Sequence, residues 1–298
     1  MSNQNTDLNP LTVVTWNILG DQYDRDQRLQ SVASELVDVE IAAIQEAVLP
    51  QDGTQDTASQ LAALAGMQVA SFVAVGATNG VSGDRMYTAI LTTLEVIKPN
   101  IALKVSTQIS NAATGEPTAY AAALLKTKTG RLVLVASLHM PWGAQNERYR
   151  LQHAQEVSAQ IDQLTAKLPK GSLALLTGDF NALPYSDSMR FLRGEAAFPD
   201  FNAFWVDAWD VKGEGPGYTN DPASGNTNLI RTATSVGIPA PEMLPSRRID
   251  YLLIKGWVYG SAGAPLAVEL IGTAKDSSGV HPSDHFGVKA TLWDPALN

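Results

Sequence analysis

SLALLTGDFNALP, residues 172–184, is an apolar run that stops on a carboxylate. Small and branched apolar side chains without alternation predict a strand buried on both faces. Asp179 stands at its end and Asn181 follows two residues later. A strand end is a rigid mount, and the loops that leave it form a cleft. The same design recurs along the chain. LTVVTW (11–16) ends at Asn17, IAAIQ (41–45) at Glu46 and RLVLVASL (131–138) at His139, while Asp250 opens YLLI and Asp284-His285 precede FGVKATLW. Met singly, Asn or Asp after a strand is an ordinary turn former. Repeated at this many strand ends and joined by two histidines, such residues point to convergence at one edge.

Between these runs the periodicity predicts helices over 26–38, 146–167 and 186–193, and further strands near 69–75, 86–92, 119–127, 247–256, 266–272 and 285–293. IAAIQE (41–46) reads as a short strand that ends on its charge. The stretch 211–246 is so dense in Gly and Pro that little regular structure is expected there, and a loop of that length in a compact domain is usually functional. Strands early, middle and late, with no hinge-like linker, predict one α/β (α+β) domain over 11–298 behind a flexible N-terminus, residues 1–10.

Composition narrows the function. The chain has 298 residues, 45% apolar and 17% charged, which suits a globular protein with a full core and excludes a disordered one. No run of about 18 apolar residues exists to span a membrane. Zero cysteines exclude disulfides, thiolate nucleophiles and cysteine-ligated metals. Net charge is −9, with 21 Lys+Arg against 30 Asp+Glu, so the basic footprint of a protein that grips a long polyanion is missing. The start carries no basic residue and no continuous apolar segment of the secretory type. A soluble monomer is expected, cytoplasmic if Met1 is the native start, with secretion of a processed chain left open.

Glu46, Asp179, Asp250 and Asp284 would repel one another if brought together without compensation. A hard divalent cation supplies it and prefers oxygen ligands. Asn17 and Asn181 add neutral oxygens and amide donors. His139 and His285 add groups that hydrogen-bond or protonate phosphate oxygens near neutral pH. Without cysteine or an HExxH motif, this set points to Mg²⁺ or Mn²⁺ rather than zinc. Metal-polarised phosphate beside a carboxylate that activates water is the design of a phosphate-ester hydrolase.

The ordered motifs TWNILG (15–20), IQEAV (44–48), SLHMP (137–141), GDFNALP (178–184), RIDYLL (248–253) and SDHFGV (283–288) resemble those of the endonuclease/exonuclease/phosphatase superfamily, the deoxyribonuclease-like fold. The resemblance extends over residues 13–292, nearly the whole chain. GDFN and SDH are individually short; six motifs in family order are specific. The resemblance implies a four-layer α/β/β/α sandwich, two packed mixed β-sheets flanked by helices, with one active site at a sheet edge.

By resemblance, Glu46 is the principal metal ligand and Asp284 a second metal-site carboxylate. Asn17 supports the metal or the substrate phosphate, Asp179 orients or deprotonates the attacking water, and Asn181 holds a phosphate oxygen. His285 contacts the scissile phosphate, oriented by Asp250, and His139 lies on the other side of the phosphate. The carboxylate that orients this second histidine in deoxyribonuclease-like members has Glu116 as its nearest candidate. His153 and His281 read as packing and loop-shaping residues, Arg148 and Arg150 as a helix face. Arg248 reads as an ion-pair partner supporting the site, and Trp205 and Trp209 as core. The activity implied is a phosphodiesterase or nuclease-type hydrolase acting on a nucleic acid or a small phosphodiester. A phosphomonoesterase acting on a sugar or inositol phosphate and a non-catalytic binding protein on the same fold stay open as alternatives.

Overall fold

Two six-stranded sheets carry the apolar runs. The structure is a computed structural model that describes residues 9–52, 54–78, 84–105, 119–198, 203–256 and 261–297. In chain order the first half forms β1 (Pro10–Asn17), α1 (Arg25–Glu35), β2 (Ile41–Leu49), α2 (Thr57–Ala65), β3 (Gln68–Thr78), β4 (Arg85–Thr92), β5 (Glu95–Lys104), β6 (Ala119–Lys126) and β7 (Leu132–His139). The second half forms α3 (Glu147–Thr165), β8 (Leu173–Asp179), α4 (Asp187–Leu192), β9 (Trp205–Asp207), α5 (Ala208–Lys212), α6 (Thr227–Ser235), β10 (Asp250–Lys255), β11 (Pro265–Ile271) and β12 (Gly287–Trp293).

One sheet has the order β11-β12-β1-β2-β4-β3 and the other β5-β6-β7-β8-β10-β9. In each sheet the central pair is parallel, β1 with β2 and β7 with β8, and every other neighbour is antiparallel. The two sheets therefore repeat one pattern, and β1 and β2 occupy in the first the places that β7 and β8 occupy in the second.

Side-chain alternation explains why the runs lack polar breaks. In β8, Leu173 and Leu175 enter the core between the sheets, while Ala174 and Leu176 enter the core beneath α3 and α4. In β1, Val13 faces the inter-sheet core and Val14 and Trp16 face α1 and α2. Both faces of these strands are covered, so both parities must be apolar. Three apolar clusters between helices, sheet, sheet and helices make the four layers, as the sequence motifs implied.

The elements that differ from expectation do so for local reasons. The helix α2 begins at Asp56, whose carboxylate accepts from the Ser59 N–H at 3.0 Å, and ends at left-handed Gly66. Its stripe of Ala58, Leu61 and Ala62 is too low in contrast to stand out in the sequence. The strand β5 lies at a sheet edge, mostly exposed, and is bulged around Pro99, the features that keep an edge strand from pairing further. The expectation that 211–246 holds little regular structure is corrected by α6, capped by Asn226 through the N–H groups of Asn228 and Leu229 at 3.1 and 3.2 Å. Pro222 and Pro241 there start short 3₁₀ turns, where a missing N–H costs nothing. Residues 1–8 of the expected flexible terminus lie outside the described residues, and Pro10 already pairs with Trp293.

Candidate active site

The inter-sheet faces of β1, β7 and β8 run upward from apolar to polar. Val13 is followed on the same face by Thr15 and Asn17, Val135 by Ser137 and His139, and Leu175 by Thr177 and Asp179. A polar layer thus separates the hydrophobic core from the strand ends. Gln45 occupies it, donating to Ser137 Oγ at 3.0 Å and to Thr15 Oγ1 at 3.2 Å, while Ser137 Oγ donates to the Ile44 carbonyl at 3.0 Å. These bonds join the two sheets directly below the candidate site. A buried network whose members are satisfied is rigid, which suits a mount for catalytic groups.

Register brings the groups together. His139 pairs with Asp179 across β7 and β8, and Asp179 pairs with Asp250 across β8 and β10. Directly opposed residues point to the same face. From the other sheet, Asn17 Nδ2 donates to Glu46 Oε1 at 3.0 Å and to Asp179 Oδ2 at 3.1 Å. His139 Nε2 lies 3.7 Å from both Glu46 Oε1 and Asp179 Oδ2. His285 Nδ1 is 2.9 Å from Asp250 Oδ2 and 4.0 Å from Asp179 Oδ2. Asp284 is buried beside this group, and Ser283 Oγ, 3.3 Å from its Oδ1, donates to the Asn17 carbonyl at 2.6 Å.

Two of these site residues, Glu46 and Asn181, hold uncommon backbone. The strand β2 does not end on its charge as read from the sequence; it runs on to Leu49 through a bulge between Ile44 and Ala47, with Glu46 at φ 58°. A bulge re-aims a side chain, here the Glu46 carboxylate toward Asn17. Asn181 sits at φ 49°, its N–H donating to Asp179 Oδ1 at 2.8 Å and its Nδ2 to the Met140 carbonyl at 3.0 Å. Non-glycine residues in this region persist where the surroundings over-determine them, and they cluster at functional sites. The glycine of GDFN has its own cause, since a Cβ on Gly178 would lie 2.1 Å from the Leu138 carbonyl oxygen.

Burial pushes the carboxyls of Glu46 and Asp284 above the ordinary carboxylate range. Burial alone would lower the His285 pKa; the charges of Asp250, Asp179 and Asp284 outweigh it and raise it well above the usual histidine value. Among the described residues, no lysine or arginine is ion-paired with Glu46, Asp179, Asp250 or Asp284. Several carboxylates held close with only histidine beside them, and no paired lysine or arginine among the described residues, form a donor set that fits a hard divalent cation. Asp179, Asp250 and His285 have ligand atoms within 4.8 Å of one another. His285 Nδ1 is engaged by Asp250, so we read that trio as an oriented imidazole beside a carboxylate rather than as three ligands.

Asn17, Glu46, His139, Asp179, Asn181, Asp250 and His285 are joined at this edge by the contacts above, and Asp284 precedes His285. Arg248 is a correction: it pairs with Asp207 and, at 2.8 Å, with Asp210 instead of with Asp250. Asp250 is backed by Thr219, whose Oγ1 accepts the Asp250 N–H at 3.3 Å and whose carbonyl accepts the Phe286 N–H at 2.7 Å. The irregular stretch 211–246 thereby supports the histidine. Arg150 is buried, and its guanidinium donates to the Pro141 and Gly143 carbonyls, both at 2.8 Å, bracing the loop after His139. Glu116 lies outside the described residues. His153 packs with its Nδ1 2.7 Å from the Tyr120 hydroxyl, and Trp205 and Trp209 are core, as expected. Gln45, Ser137, Thr219 and Ser283 were not anticipated, although three of them stand inside the quoted motifs.

The sequence matches the model of the Endonuclease/Exonuclease/phosphatase family over residues 14–285. The chain belongs to this family. No curated protein matches the sequence. Among solved structures, this family member superposes on truncated Caenorhabditis elegans TDP2 with a TM-score of 0.65 at 20% identity, covering 96% of this chain and 98% of that one. D. rerio TDP2 complexed with a single-strand DNA product gives a TM-score of 0.68 at 18% identity, over 96% and 99%. The human nocturnin catalytic domain with bound sulfate gives 0.65 at 18%, over 95% and 93%. These likenesses show the shared fold.

Proposed function

We propose that the protein is a divalent-metal-dependent hydrolase of phosphate esters that prefers diesters. The observation that carries this reading is the meeting of Asn17, Glu46, His139, Asp179 and the Asp250–His285 pair at one edge, through contacts of 2.9–4.0 Å. Glu46 and Asp284 would hold Mg²⁺ or Mn²⁺. Such an ion, when bound, polarises a phosphoryl oxygen and offsets the charge of the carboxylates. Asp179 orients the attacking water and takes its proton. His285, its Nδ1 fixed by Asp250, offers Nε2 to the scissile phosphate, and the proton it holds stabilises charge developing there. Asn17 keeps Glu46 and Asp179 apart by donating to both. One amide hydrogen of Asn181 is engaged by Met140, and a phosphate oxygen would take the other. The DNA product held by D. rerio TDP2 supports a phosphodiester as the substrate class.

The test is hydrolysis of matched synthetic mono- and diesters with Mg²⁺ and with Mn²⁺. We expect the diester to turn over at least about tenfold faster, and the reverse order would assign a phosphomonoesterase.

Charge sets a second expectation. With a net charge of −9, the protein should bind duplex DNA weakly, at micromolar affinity or worse. Each phosphate contacted by Lys or Arg adds about 0.9 to the log–log salt slope, so the slope should be shallow. Fluorescence anisotropy of Asp179→Asn with labelled duplex across a salt series measures both. Nanomolar binding with a steep slope would instead identify a concentrated basic face and a general endonuclease.

A further inference from the structure

Phe72 and Phe204 are exposed away from the candidate site, on the edge strand β3 and at the end of β10 remote from Asp250. Among the described residues, three tryptophans or tyrosines are classed as exposed: Trp142 at 77%, Tyr185 at 73% and Tyr218 at 39%. All three flank the candidate site. Trp142 follows His139 by three residues and Tyr185 follows Asn181 by four, within about 14 Å of extended backbone. Tyr218 adjoins Thr219, which supports Asp250 and the His285 segment.

The loops that carry them are braced. The Trp142 carbonyl accepts from Asn146 Nδ2 at 2.6 Å, and Arg150 holds the carbonyls on either side of it. Glu147 links the two loops: its Oε2 accepts from Arg150 Nε at 2.8 Å and its Oε1 from the Ser188 N–H at 2.7 Å. Asn181 Nδ2 adds a second link through the Met140 carbonyl. Tyr185 stands in a turn closed by Ser186, whose N–H donates to the Leu183 carbonyl at 2.9 Å and whose Oγ accepts the Leu183 N–H at 3.0 Å. An exposed ring on a rigid mount gives contact area at little cost in side-chain entropy.

We propose that Trp142 and Tyr185 form a stacking subsite for a nucleobase attached to the scissile phosphodiester, with Tyr218 on the opposite rim, so that the substrate is a nucleotide diester. This rests on the hydrolase reading above. Flat rings suit bases of any sequence, because every base offers a π-face. Along the chain the two rings are flanked by Pro141, Gly143, Ala144, Pro184, Ser186 and the exposed Asp187, and among the described residues no exposed large aliphatic side chain stands within four positions of either. Insertion into a lipid interface calls for an apolar face with basic flanks, which these loops lack. Stacking also supplies affinity without lysines or arginines, in keeping with an acidic chain.

The test compares a dinucleoside monophosphate with its abasic counterpart, which has the same sugars and phosphate without bases. The wild-type protein should favour the base-bearing diester by about tenfold or more in kcat/KM. Trp142→Ala and Tyr185→Ala should raise KM for it with kcat little changed, and the preference should collapse toward one. The base-bearing ligand should also quench tryptophan fluorescence in the wild type and not in Trp142→Ala, a readout independent of turnover. Equal rates on the two diesters would overturn the subsite and leave the hydrolase reading standing. Hydrolysis of neither, with Mg²⁺ or Mn²⁺, would count against the hydrolase reading, and the quenching titration would then decide the subsite alone: no quenching, or equal quenching by both ligands, rejects it. Co-sedimentation with phosphatidylcholine vesicles that Trp142→Ala abolishes would also overturn it and assign the rings to a membrane surface.

Discussion

Asp179→Asn and His285→Ala should each reduce turnover of a phosphodiester by about 10²-fold or more while the protein stays folded. That is the scale on which a positioned acid or base acts. Asp179 accepts from Asn17 Nδ2 and the Asn181 N–H and lies within 4.0 Å of both site histidines. An amide in its place keeps one acceptor for Asn181 and removes the charge that draws a proton from water. Replacing Asp179 relieves part of the electrostatic crowding, whereas removing His285 takes away the imidazole that offsets Asp250, Asp179 and Asp284 and leaves the Asp250 carboxylate buried without it. The melting temperature should therefore move little for Asp179→Asn and fall for His285→Ala, which still folds at the assay temperature. Steady-state kinetics alongside thermal melts measure both, and near wild-type turnover in either variant would show that its assigned role is wrong.

Arg28→Met should be severe for the opposite reason. Arg28 is fully buried on α1, and its guanidinium donates to six carbonyls, those of Ile18, Leu19, Gly20, Gln22, Tyr23 and Pro282, at 2.5–3.1 Å. Five belong to the loop that leaves Asn17, and the sixth precedes Ser283 and Asp284. One side chain thus ties together two segments that deliver site residues. Burial lowers its pKa to about 10, with Asp284 and Glu46 drawing it upward, so it stays cationic at neutral pH. Methionine fills similar volume and satisfies none of the carbonyls. A buried acceptor left bare costs about 1–3 kcal/mol, so even if most of the six reach water the loss should exceed about 3 kcal/mol. At about 2–4 °C per kcal/mol, the melting temperature should fall by about 6 °C or more. Arg28→Lys, with three donors on one point, should recover only part of this. A melting temperature for Arg28→Met within about 2 °C of wild type would contradict the account.

Arg28 also marks where the sequence ceases to be legible. An arginine on a helix with an apolar stripe reads as a solvated charge, because its carbonyl partners come from a loop and from a segment more than 250 residues away. The strand ends were legible because the inner faces of β1, β7 and β8 carry their pattern upward from valine and leucine to a polar residue and then a charged or amide one. Pairing at a strand end is therefore nearly forced once the strands are placed. The bulge at Glu46 was not, since IAAIQE shows nothing that separates a strand's last residue from an extra residue inside it. The prolines of 211–246 read as breakers, whereas in the structure Pro222 and Pro241 start short 3₁₀ turns, and Asn226 caps α6. Gln45 and Ser137 stood in the quoted motifs, but their work is to join the sheets, and a residue that bridges two distant strands has no local signature.

The central claim is that this strand edge is a metal-dependent site for phosphodiester hydrolysis. The most direct measurement follows one diester in a single sample, with the rate read in Mg²⁺ or Mn²⁺, after excess chelator, and after the ion is restored, for the wild type and for Glu46→Gln. We expect the wild-type rate to vanish with chelator and return with the ion, and Glu46→Gln to stay at background throughout. The ion should also raise the wild-type melting temperature, because a ligand that binds only the native state stabilises it by mass action, and this shift should be lost in Glu46→Gln. Full hydrolysis in excess chelator would contradict the claim.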